Sequence, residues 1–307
     1  MTGASTGAGA FIVGLEGTAA AVPAALGLAV LSAAAHAGLG ALQKGRHDPW
    51  SVRAAVDVAL ICMALPVALL VFGPPEPALW GPLAGAWVLH TAYKVLQAMA
   101  YVRGAYTVVY PVARGAAPLV TVLFAWAAFG EVFAPGQWLG VAVLSAGIFG
   151  LAAVNLRAGG LQRATMVPAL GLAVATGVMI AAYTTWDAWG IRLAADPFMF
   201  LIWFFVADGW AMPLIWAWRR SRTTARPPLG PLIPRGLAGA ALGVLSFGAM
   251  LLATRLDKVG AAVAVRETSV IFAALIGWAL LREPVGPARA ALMVLIGAGA
   301  AAVAFAR

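Results

Sequence analysis

Residues 110–152 read YPVARGAAPLVTVLFAWAAFGEVFAPGQWLGVAVLSAGIFGLA, and residues 263–305 read VAVRETSVIFAALIGWALLREPVGPARAALMVLIGAGAAAVAF. The two stretches align without a gap at a constant shift of 152 residues, so that residue 111 matches residue 263 and Arg114 matches Arg266. Other matched pairs are Arg103 and Arg255, Leu123 and Leu275, Trp126 and Trp278, Glu131 and Glu283, Pro135 and Pro287, and Gly147 and Gly299. Each copy has an apolar run, a short acidic turn with proline, and a second apolar run. The sequence therefore predicts one helical hairpin that is used twice.

The composition is that of a membrane protein. Hydrophobic residues make up 63% of the chain and charged residues 10%, against about 45–50% and about 25% in soluble domains. Cys62 is the only cysteine, which excludes a disulfide framework and a thiolate metal site. The net charge of +9 is assigned to loops that face anionic lipid and the cytoplasm. We therefore expect a lipid bilayer as partner, and no nucleic acid, metal or cofactor.

Apolar runs long enough to span a bilayer, about 20 residues each, occur ten times. Residues 1–19 precede the first run, lack Lys and Arg, and are expected to form a short polar, Gly-rich tail. The ten runs lie near residues 20–42, 54–73, 78–100, 104–129, 136–156, 165–189, 197–218, 234–254, 259–281 and 285–306. Because the connections between them are short, no room is left for a soluble catalytic domain.

The repeat extends beyond the opening hairpins. The stretch around Pro23 recurs around Pro168, and Leu83-Ala84-Gly85-Ala86 recurs at residues 237–240. The halves are therefore residues 20–158 and 165–307, with five helices each. Five is odd, so halves that are parallel in sequence must be antiparallel in the membrane. The predicted fold is an all-α integral membrane protein of ten transmembrane helices in two inverted five-helix repeats, with its site near the midplane between them.

The charge distribution predicts an orientation. Lys and Arg are concentrated in the loops after helices 1, 3, 5, 7 and 9. These residues are Lys44, Arg46, Arg53, Arg103, Arg157, Arg163, Arg219, Arg220, Arg222, Arg226, Arg235, Arg282 and Arg289. The opposite side holds only Arg192, Arg255, Lys258 and Arg307. The positive-inside rule then places both termini outside the cytoplasm.

Ten spans in two inverted halves, with Gly130-Glu131 and Arg282-Glu283 closing helices 4 and 9, resemble the drug/metabolite transporter superfamily and, within it, the EamA family. The resemblance implies a multi-pass carrier of the bacterial inner membrane, usually an exporter of amino acids or other small metabolites. It also implies a central cavity lined mainly by helices 1, 3, 4, 6, 8 and 9. Relatives usually place both termini in the cytoplasm, unlike the charge count. Some read His-Ala-x-Trp-Asn where this chain has His36-Ala37-Gly38-Leu39-Gly40, so no substrate is carried over.

Two arginines inside the spans are the first candidate site residues. A charged side chain at a helix centre costs about 2.5–3.5 kcal/mol on insertion scales, so each needs a function or a partner. Arg114 and Arg266 occupy matching positions of the two halves, and Pro111 and Pro118 predict a kinked or unwound helix around Arg114. One interpretation is that both bind a substrate carboxylate or phosphate from opposite sides. The other is an internal ion pair, with Glu267 beside Arg266 as one partner.

Helix 3 carries a polar stripe. His90, Lys94, Gln97 and Tyr101 follow one helix face, which must point to the cavity or to another helix. Lys94 is expected to extend to the cytoplasmic interface. His90 and, in helix 1, His36 are candidates for protonation, or else hydrogen-bonding spacers. His90, Gln97 and His36 join Arg114 and Arg266 in the predicted substrate site.

Helices 6 and 7 add carboxylates. Thr176, Tyr183 and Asp187 share a face of helix 6, and Tyr183 completes the predicted substrate-binding residues. Asp187 lies near the helix end, so a solvated position is favoured over binding. Asp208 is predicted either to couple transport to protons or to be the buried partner of an arginine, and the ion pair is favoured. The coupling candidates are thus Asp208 and His90.

Together these features predict a secondary transporter rather than an enzyme. The sequence lacks HExxH, GxSxG, a Walker loop and any Asp, His and Cys cluster at ligand spacing. We expect a carrier of small polar metabolites, such as amino acids or other carboxylate- or phosphate-bearing compounds, that works by alternating access. A proton gradient or exchange is expected to supply energy. The alternatives are a translocase of lipid-linked sugar phosphates, distinguished by a lateral opening to lipid, and an integral-membrane enzyme acting on lipid-linked phosphates.

Overall fold

A computed structural model describes residues 6–43, 48–104, 106–158, 163–222, 229–281 and 286–306. These residues are almost entirely helical and include no strand, which confirms the prediction of an all-helical protein. The helices are α1 Gly7–Leu15, α2 Ala21–Gln43, α3 Pro49–Val67, α4 Trp80–Arg103, α5 Tyr106–Phe129, α6 Pro135–Ala158, α7 Arg163–Leu193, α8 Pro197–Asp208, α9 Ala211–Ser221, α10 Leu232–Leu256, α11 Val259–Arg266, α12 Ser269–Leu281 and α13 Pro287–Phe305. A π-helical turn at Ala68–Phe72 extends α3, and a 3₁₀ turn at Pro77–Leu79 precedes α4.

Nine helices or helix pairs in the described part of the chain are long and apolar enough to cross a membrane. They coincide with nine of the ten predicted spans, so the chain is a multi-pass membrane protein. The tenth predicted span, residues 78–100, does fold as the 24-residue helix α4. It is missing from the nine because its polar stripe, which includes Lys94 and Gln97, lowers its hydropathy.

Two of the predicted spans are broken helices. Helices α8 and α9 are separated at Gly209 and Trp210, and helices α11 and α12 are separated directly after Arg266. Helix α5 contains Pro111 and Pro118 but runs without interruption. Of the predicted kink or unwinding around Arg114, the unwinding is therefore absent. The unwound segment lies instead at the matching position of the second half.

The segment predicted to be an N-terminal tail contains helix α1. The side chain of Thr6 caps this helix by accepting a hydrogen bond from the Gly9 amide at 3.0 Å. The backbone and hydroxyl of Thr6 donate to the Asp196 carboxylate at 2.6 and 2.7 Å. Asp196 in turn caps helix α8 by accepting from the Phe198 amide at 2.8 Å. The start of α1 is therefore fixed to the connection between α7 and α8.

The packing pairs helices from both halves of the sequence. Helix α2 packs against α10, α11 and α12, while α7 packs against α4 and α5. Helix α6 packs against α13 through glycines that were matched in the repeat. A Cβ atom on Gly147 would lie 2.8 Å from Cγ1 of Ile296, and one on Gly299 would lie 2.5 Å from the backbone nitrogen of Leu144. Only the absence of a side chain lets the two helices approach this closely.

Connections from both halves are tied together at one end of the bundle, which we call the Glu131 end. Arg192 of α7 donates to the Thr254 and Asp257 carbonyls at 2.7 and 3.1 Å and lies 3.3 Å from the Glu131 carboxylate. Glu131 also accepts from the Val259 amide at 3.0 Å. The start of α3 and the end of α9 lie at the other end, which we call the Arg219 end. There, Arg219 stacks on Trp50 at 4.4 Å.

Candidate functional site

A cavity of about 70 Å³ lies among helices α2, α3, α4, α5, α7, α8, α10 and α11. The sequence-predicted site residues that line it are His36, His90, Gln97, Tyr183, Asp208 and Arg266. Arg114 lines a smaller adjoining pocket, together with His36, Gln97 and Tyr110. Residues separated by up to 230 positions thus meet in one place. In addition, Gly40, Arg53 and Tyr101 extend the lining toward the Arg219 end.

The sequence interpretation missed several lining residues. Tyr93 lies one helical turn after His90 and belongs to the same stripe, so its spacing was a usable signal. Tyr110 opens the quoted YPVARG motif but was not singled out. Arg53 was counted as a loop charge, although its side chain is only 20% exposed. Ser246 had no sequence signal, because a lone serine in an apolar span is common.

Arg266 places a guanidinium group in the wall of the cavity. Its NH2 group lies 3.3 Å from Nδ1 of His36, and its guanidinium carbon lies 5.4 Å from the centroid of the Phe247 ring. A guanidinium only donates hydrogen bonds, so Nδ1 of His36 is the acceptor and the His36 ring is neutral in this arrangement. Within the described ranges, no carboxylate oxygen lies within 4.0 Å of the Arg266 nitrogens, and its buried Nε has no hydrogen-bond partner.

Arg114 is paired. Its Nε lies 2.9 Å from Oε2 of Glu267, and both side chains are almost fully buried. Glu267 stands at the break between α11 and α12, so this contact joins the two halves. Of the two interpretations, the ion pair therefore describes Arg114, and its partner comes from the second half. Glu267 neutralises Arg114, and the positive charge of Arg266 has no carboxylate of its own within 4.0 Å among the described residues.

Lys94 lies in the centre of a buried ion cluster. Its Nζ lies 2.6 Å from Oδ2 of Asp57 and 2.9 Å from Oδ1 of Asp208, and it donates to the Asp208 carbonyl at 2.8 Å. The side chain is 0% exposed. The expectation that Lys94 reaches the cytoplasmic interface is therefore wrong, because helices α3 and α8 supply three acceptors at its own depth. Asp57 was overlooked, although a lone Asp in an apolar span is a signal in itself.

Asp208 has the cationic partner that the sequence favoured, but the nearest one is a lysine. Lys94 lies 2.9 Å from Asp208, whereas the NH2 group of Arg53 lies 3.9 Å away. Arg53 is closer to Asp57, with its Nε 3.1 Å from Oδ1. Each of these two carboxylates therefore has Lys94 and Arg53 within 4 Å.

Asp187 is buried against His90. Nε2 of His90 lies 2.7 Å from Oδ2 of Asp187, whose side chain is 0% exposed. The solvated position expected for Asp187 is wrong, because α4 packs against α7 and covers this face. The His90 ring is enclosed by aromatic rings, with centroid distances of 4.1 Å to Tyr183, 4.9 Å to Phe204 and 5.2 Å to Phe247.

The arrangement is suited to binding an anionic group and to holding a proton. Among the residues that the structure describes, no three His, Cys, Asp or Glu side chains form a group that holds a metal ion. The cavity offers the Arg266 guanidinium on one side and, on the other, the paired charges of Lys94, Arg53, Asp57 and Asp208. Such an arrangement can bind an anionic group and can also hold a proton close to it.

Comparison with known proteins gives the family and the fold. The model of the EamA-like transporter family matches residues 167–305. No curated protein matches the chain in sequence. A solved structure described as "Crystal structure of protein" has a TM-score of 0.73 and 17% sequence identity, and the alignment covers 94% of this chain and 99% of that chain. At that identity the likeness concerns the fold alone. The class of protein, a membrane transporter, comes from the family match. The second half of the chain, residues 167–305, thus matches the EamA-like transporter family.

Proposed function

We propose that this protein is a secondary transporter of small polar metabolites that carry a carboxylate or phosphate group, and that it works by alternating access as an exporter. The observation that carries the proposal is Arg266, a buried guanidinium in a central cavity with no carboxylate within 4.0 Å in the described chain. A buried cation without a counter-ion is costly. An anionic substrate removes this cost when it binds, so the site selects for negative charge.

The neighbours of Arg266 suit a small polar solute. Gln97, Tyr93 and Tyr183 supply amide and hydroxyl groups to the same cavity. The volume of about 70 Å³ is well below the roughly 300–1,000 Å³ of sites for drug-sized ligands. Amino acids and similar metabolites are therefore better candidates than large lipid-linked compounds. Arg114 remains a second candidate contact, because it lines the adjoining pocket next to His36.

The helix packing supports two inverted five-helix repeats with ten spans, α4 among them. If the halves are exchanged, α2 becomes α7, α4 becomes α10, α5 becomes α11 and α12, and α6 becomes α13. The contact of α2 with α10 then becomes the contact of α7 with α4, and that of α5 with α7 becomes that of α11 and α12 with α2. The α6 and α13 pair maps onto itself. Every one of these contacts is present, as an internal two-fold relation requires.

The two ends of the bundle support alternating access. At the Glu131 end, hydrogen bonds of Arg192 and Glu131 tie the connections of both halves together. The cavity lining instead extends toward the Arg219 end, where Arg53 is partly exposed. The lining of the site thus favours access from the Arg219 end in this state. The charge distribution predicts that this side is cytoplasmic, as an exporter needs when it loads substrate.

Proton coupling or exchange supplies the energy in this proposal. His90 and Asp208 both line the cavity and belong to the buried ion cluster. They are therefore placed to respond to the substrate.

The test is Arg266→Lys. Lysine keeps the charge but removes the planar pair of donors that binds a carboxylate or phosphate in two places. Loss of one hydrogen bond to a charged group costs about 1.5–3 kcal/mol, so we expect KM to rise roughly tenfold to a hundredfold. The assay is uptake into proteoliposomes of a panel of amino acids, dicarboxylates and phosphonates, with and without a pH gradient. Arg219→Lys, an exposed arginine outside the cavity, is the matched control.

Arg114→Lys separates binding from scaffold. Because Lys also pairs with Glu267, we expect this variant to fold normally and to lose less apparent affinity than Arg266→Lys. Wild-type KM in Arg266→Lys for every transported compound would show that Arg266 does not hold the substrate. Transport of neutral or cationic compounds alone would refute the proposed substrate class.

The translocase alternative is weakened by the position of helix α3. An apolar groove of about 350 Å³ lies between α3, α9 and α10 and is lined by residues such as Cys62, Trp216 and Leu237. The cavity borders the opposite face of α3 through Val56 and Leu60. Helix α3 thus lies between the groove and the cavity, which disfavours entry of a lipid-linked substrate through this groove.

A further inference from the structure

The charges of the buried cluster do not balance without one extra proton. The cluster contains two permanent cations, Lys94 and Arg53, and three carboxylates, Asp57, Asp208 and Asp187. Asp57 and Asp208 are both close to Lys94 and Arg53. The only basic side chain of the described residues within 4.0 Å of Asp187 is His90, at 2.7 Å. A net negative charge at this depth is costly. One proton on the His90 and Asp187 pair neutralises the cluster itself, and without that proton the positive charge of Arg266, across the Phe247 ring, is what balances it.

The geometry of the His90 ring agrees with this count. Nε2 faces Oδ2 of Asp187 at 2.7 Å, and Nδ1 faces Oδ1 of Asp208 at 3.8 Å. A neutral imidazole has one donor and one acceptor nitrogen, whereas an imidazolium has two donors. Because both nitrogens face carboxylate oxygens, the doubly protonated ring fits its surroundings best.

We propose that the pair of His90 and Asp187 is the proton-binding site of this protein, that it exchanges one proton with water in the cavity, and that Asp208 stays ionised beside Lys94 and Arg53. The transport role rests on the proposed function, but the proton site does not. His90 lines the cavity, which gives the pair a route to water. The sequence could only name Asp208 and His90 as alternatives. The structure assigns them different roles.

Each helix around His90 contributes groups that bear on its proton. Helix α3 contributes Arg53 and Asp57, α4 contributes Lys94 and Tyr93, α7 contributes Asp187 and Tyr183, and α8 contributes Asp208. Helix α10 contributes the uncharged Phe247. Across that ring lies Arg266, and beside it the neutral His36. Arg266 is therefore the uncompensated charge on the cavity side of the pair.

Arg266 links the proton site to the substrate site. The centroid of the His90 ring lies 5.2 Å from the Phe247 centroid, and the Arg266 guanidinium carbon lies 5.4 Å from it. The distance between His90 and Arg266 is therefore no greater than the sum of these two distances. At about 10 Å and an effective dielectric constant of about 20, two charges change each other's binding roughly tenfold. An anion on Arg266 cancels the repulsion of the proton, so substrate and proton bind cooperatively.

Histidine NMR tests the proton site without any substrate. The chain has three histidines, His36, His47 and His90. The full-length protein is labelled with ¹⁵N in the imidazole rings, and single replacements of His36 and His47 by Gln assign the signals. We expect His90 to show a doubly protonated ring, or Asp187 to show the infrared C=O band of a protonated carboxyl group. Whichever signal is present should be lost in one deprotonation step as the pH rises.

Asp187→Asn is the decisive variant. It keeps a hydrogen-bond acceptor for His90 and leaves Lys94, Arg53, Asp57 and Asp208 in balance, so we expect it to fold and to contain a neutral His90 ring. Asp196→Asn, a buried carboxylate that caps α8 outside the cluster, is the matched control. It should leave the His90 signal unchanged.

Arg266→Met tests the link to the substrate site. Removing the positive charge should raise the proton affinity of the pair roughly tenfold, a shift of about one pH unit in the titration. An unshifted midpoint would overturn the cooperative link. The proposed proton site would be overturned if His90 were neutral and the protonated carboxyl band belonged to Asp208. In that case the band would disappear in Asp208→Asn and persist in Asp187→Asn. That result would leave the transport proposal standing, because no substrate enters the measurement.

Discussion

Replacing Lys94 by Met is the most direct test of the buried ion cluster. The change removes an ammonium whose Nζ lies 2.6 Å from Asp57 and 2.9 Å from Asp208, and a methionine of similar length fills the space. The two carboxylates are then left with Arg53, 3.1 Å from Asp57 but 3.9 Å from Asp208, and with the His90 ring, 3.8 Å from Asp208 and already paired with Asp187. Arg53 can compensate one of them. Asp208 therefore loses its nearest cation while it remains buried.

The expected loss of stability follows from one uncompensated buried carboxylate. Breaking a buried pair by removing one partner costs about 3–5 kcal/mol, and we expect Lys94→Met to fall in this range. The double variant Lys94→Met/Asp208→Asn removes the orphaned carboxylate as well. We therefore expect it to recover at least about 2 kcal/mol relative to the single variant, a coupling of the size measured for residues in one charge network.

The free energy of unfolding is measured by titrating the purified protein in mixed micelles with a denaturing detergent. The fluorescence of the 12 tryptophans reports unfolding. If the unfolding free energy of Lys94→Met lies within about 1 kcal/mol of wild type, Lys94 is not held in a buried network. Its ammonium would then reach the interface, as the local sequence alone suggests.

Two further predictions concern the topology and the packing. A single cysteine at Arg222, in a Cys62→Ser background, should resist a membrane-impermeant thiol reagent added to intact cells, because the charge distribution places this loop in the cytoplasm; efficient labelling would reverse the orientation. Gly299→Ala should lower the unfolding free energy by about 1–3 kcal/mol, because its Cβ would lie 2.5 Å from a backbone nitrogen of α6. Gly171→Ala, where no atom lies within 4 Å of the new Cβ, should be tolerated, and equal stability of the two variants would contradict the close packing of α6 and α13.

Local features of the sequence were sufficient to predict the helices. The run predicted at 136–156 is the helix Pro135–Ala158, and the one predicted at 234–254 is Leu232–Leu256. Membrane spans are readable because apolar length and backbone hydrogen bonding are properties of each segment by itself. The polar stripe of α4 was also readable, since its spacing requires one polar face whatever the partner.

The partners of the charged residues were decided by the tertiary structure alone. The same local sequence is compatible with a lysine that reaches the membrane interface and with one that forms an ion pair deep in the protein. The outcome for Lys94 depends on Asp57 and Asp208, which two other helices bring to its depth. The same holds for Asp187, which α4 covers, and for Glu267, which pairs across the halves with an arginine of α5. The sequence by itself thus determined the helices, their repeat pattern and the rare charges that need an explanation. Only the packing determined which charges neutralise one another, because electrostatic energy at this depth depends on distances between helices that no single segment specifies.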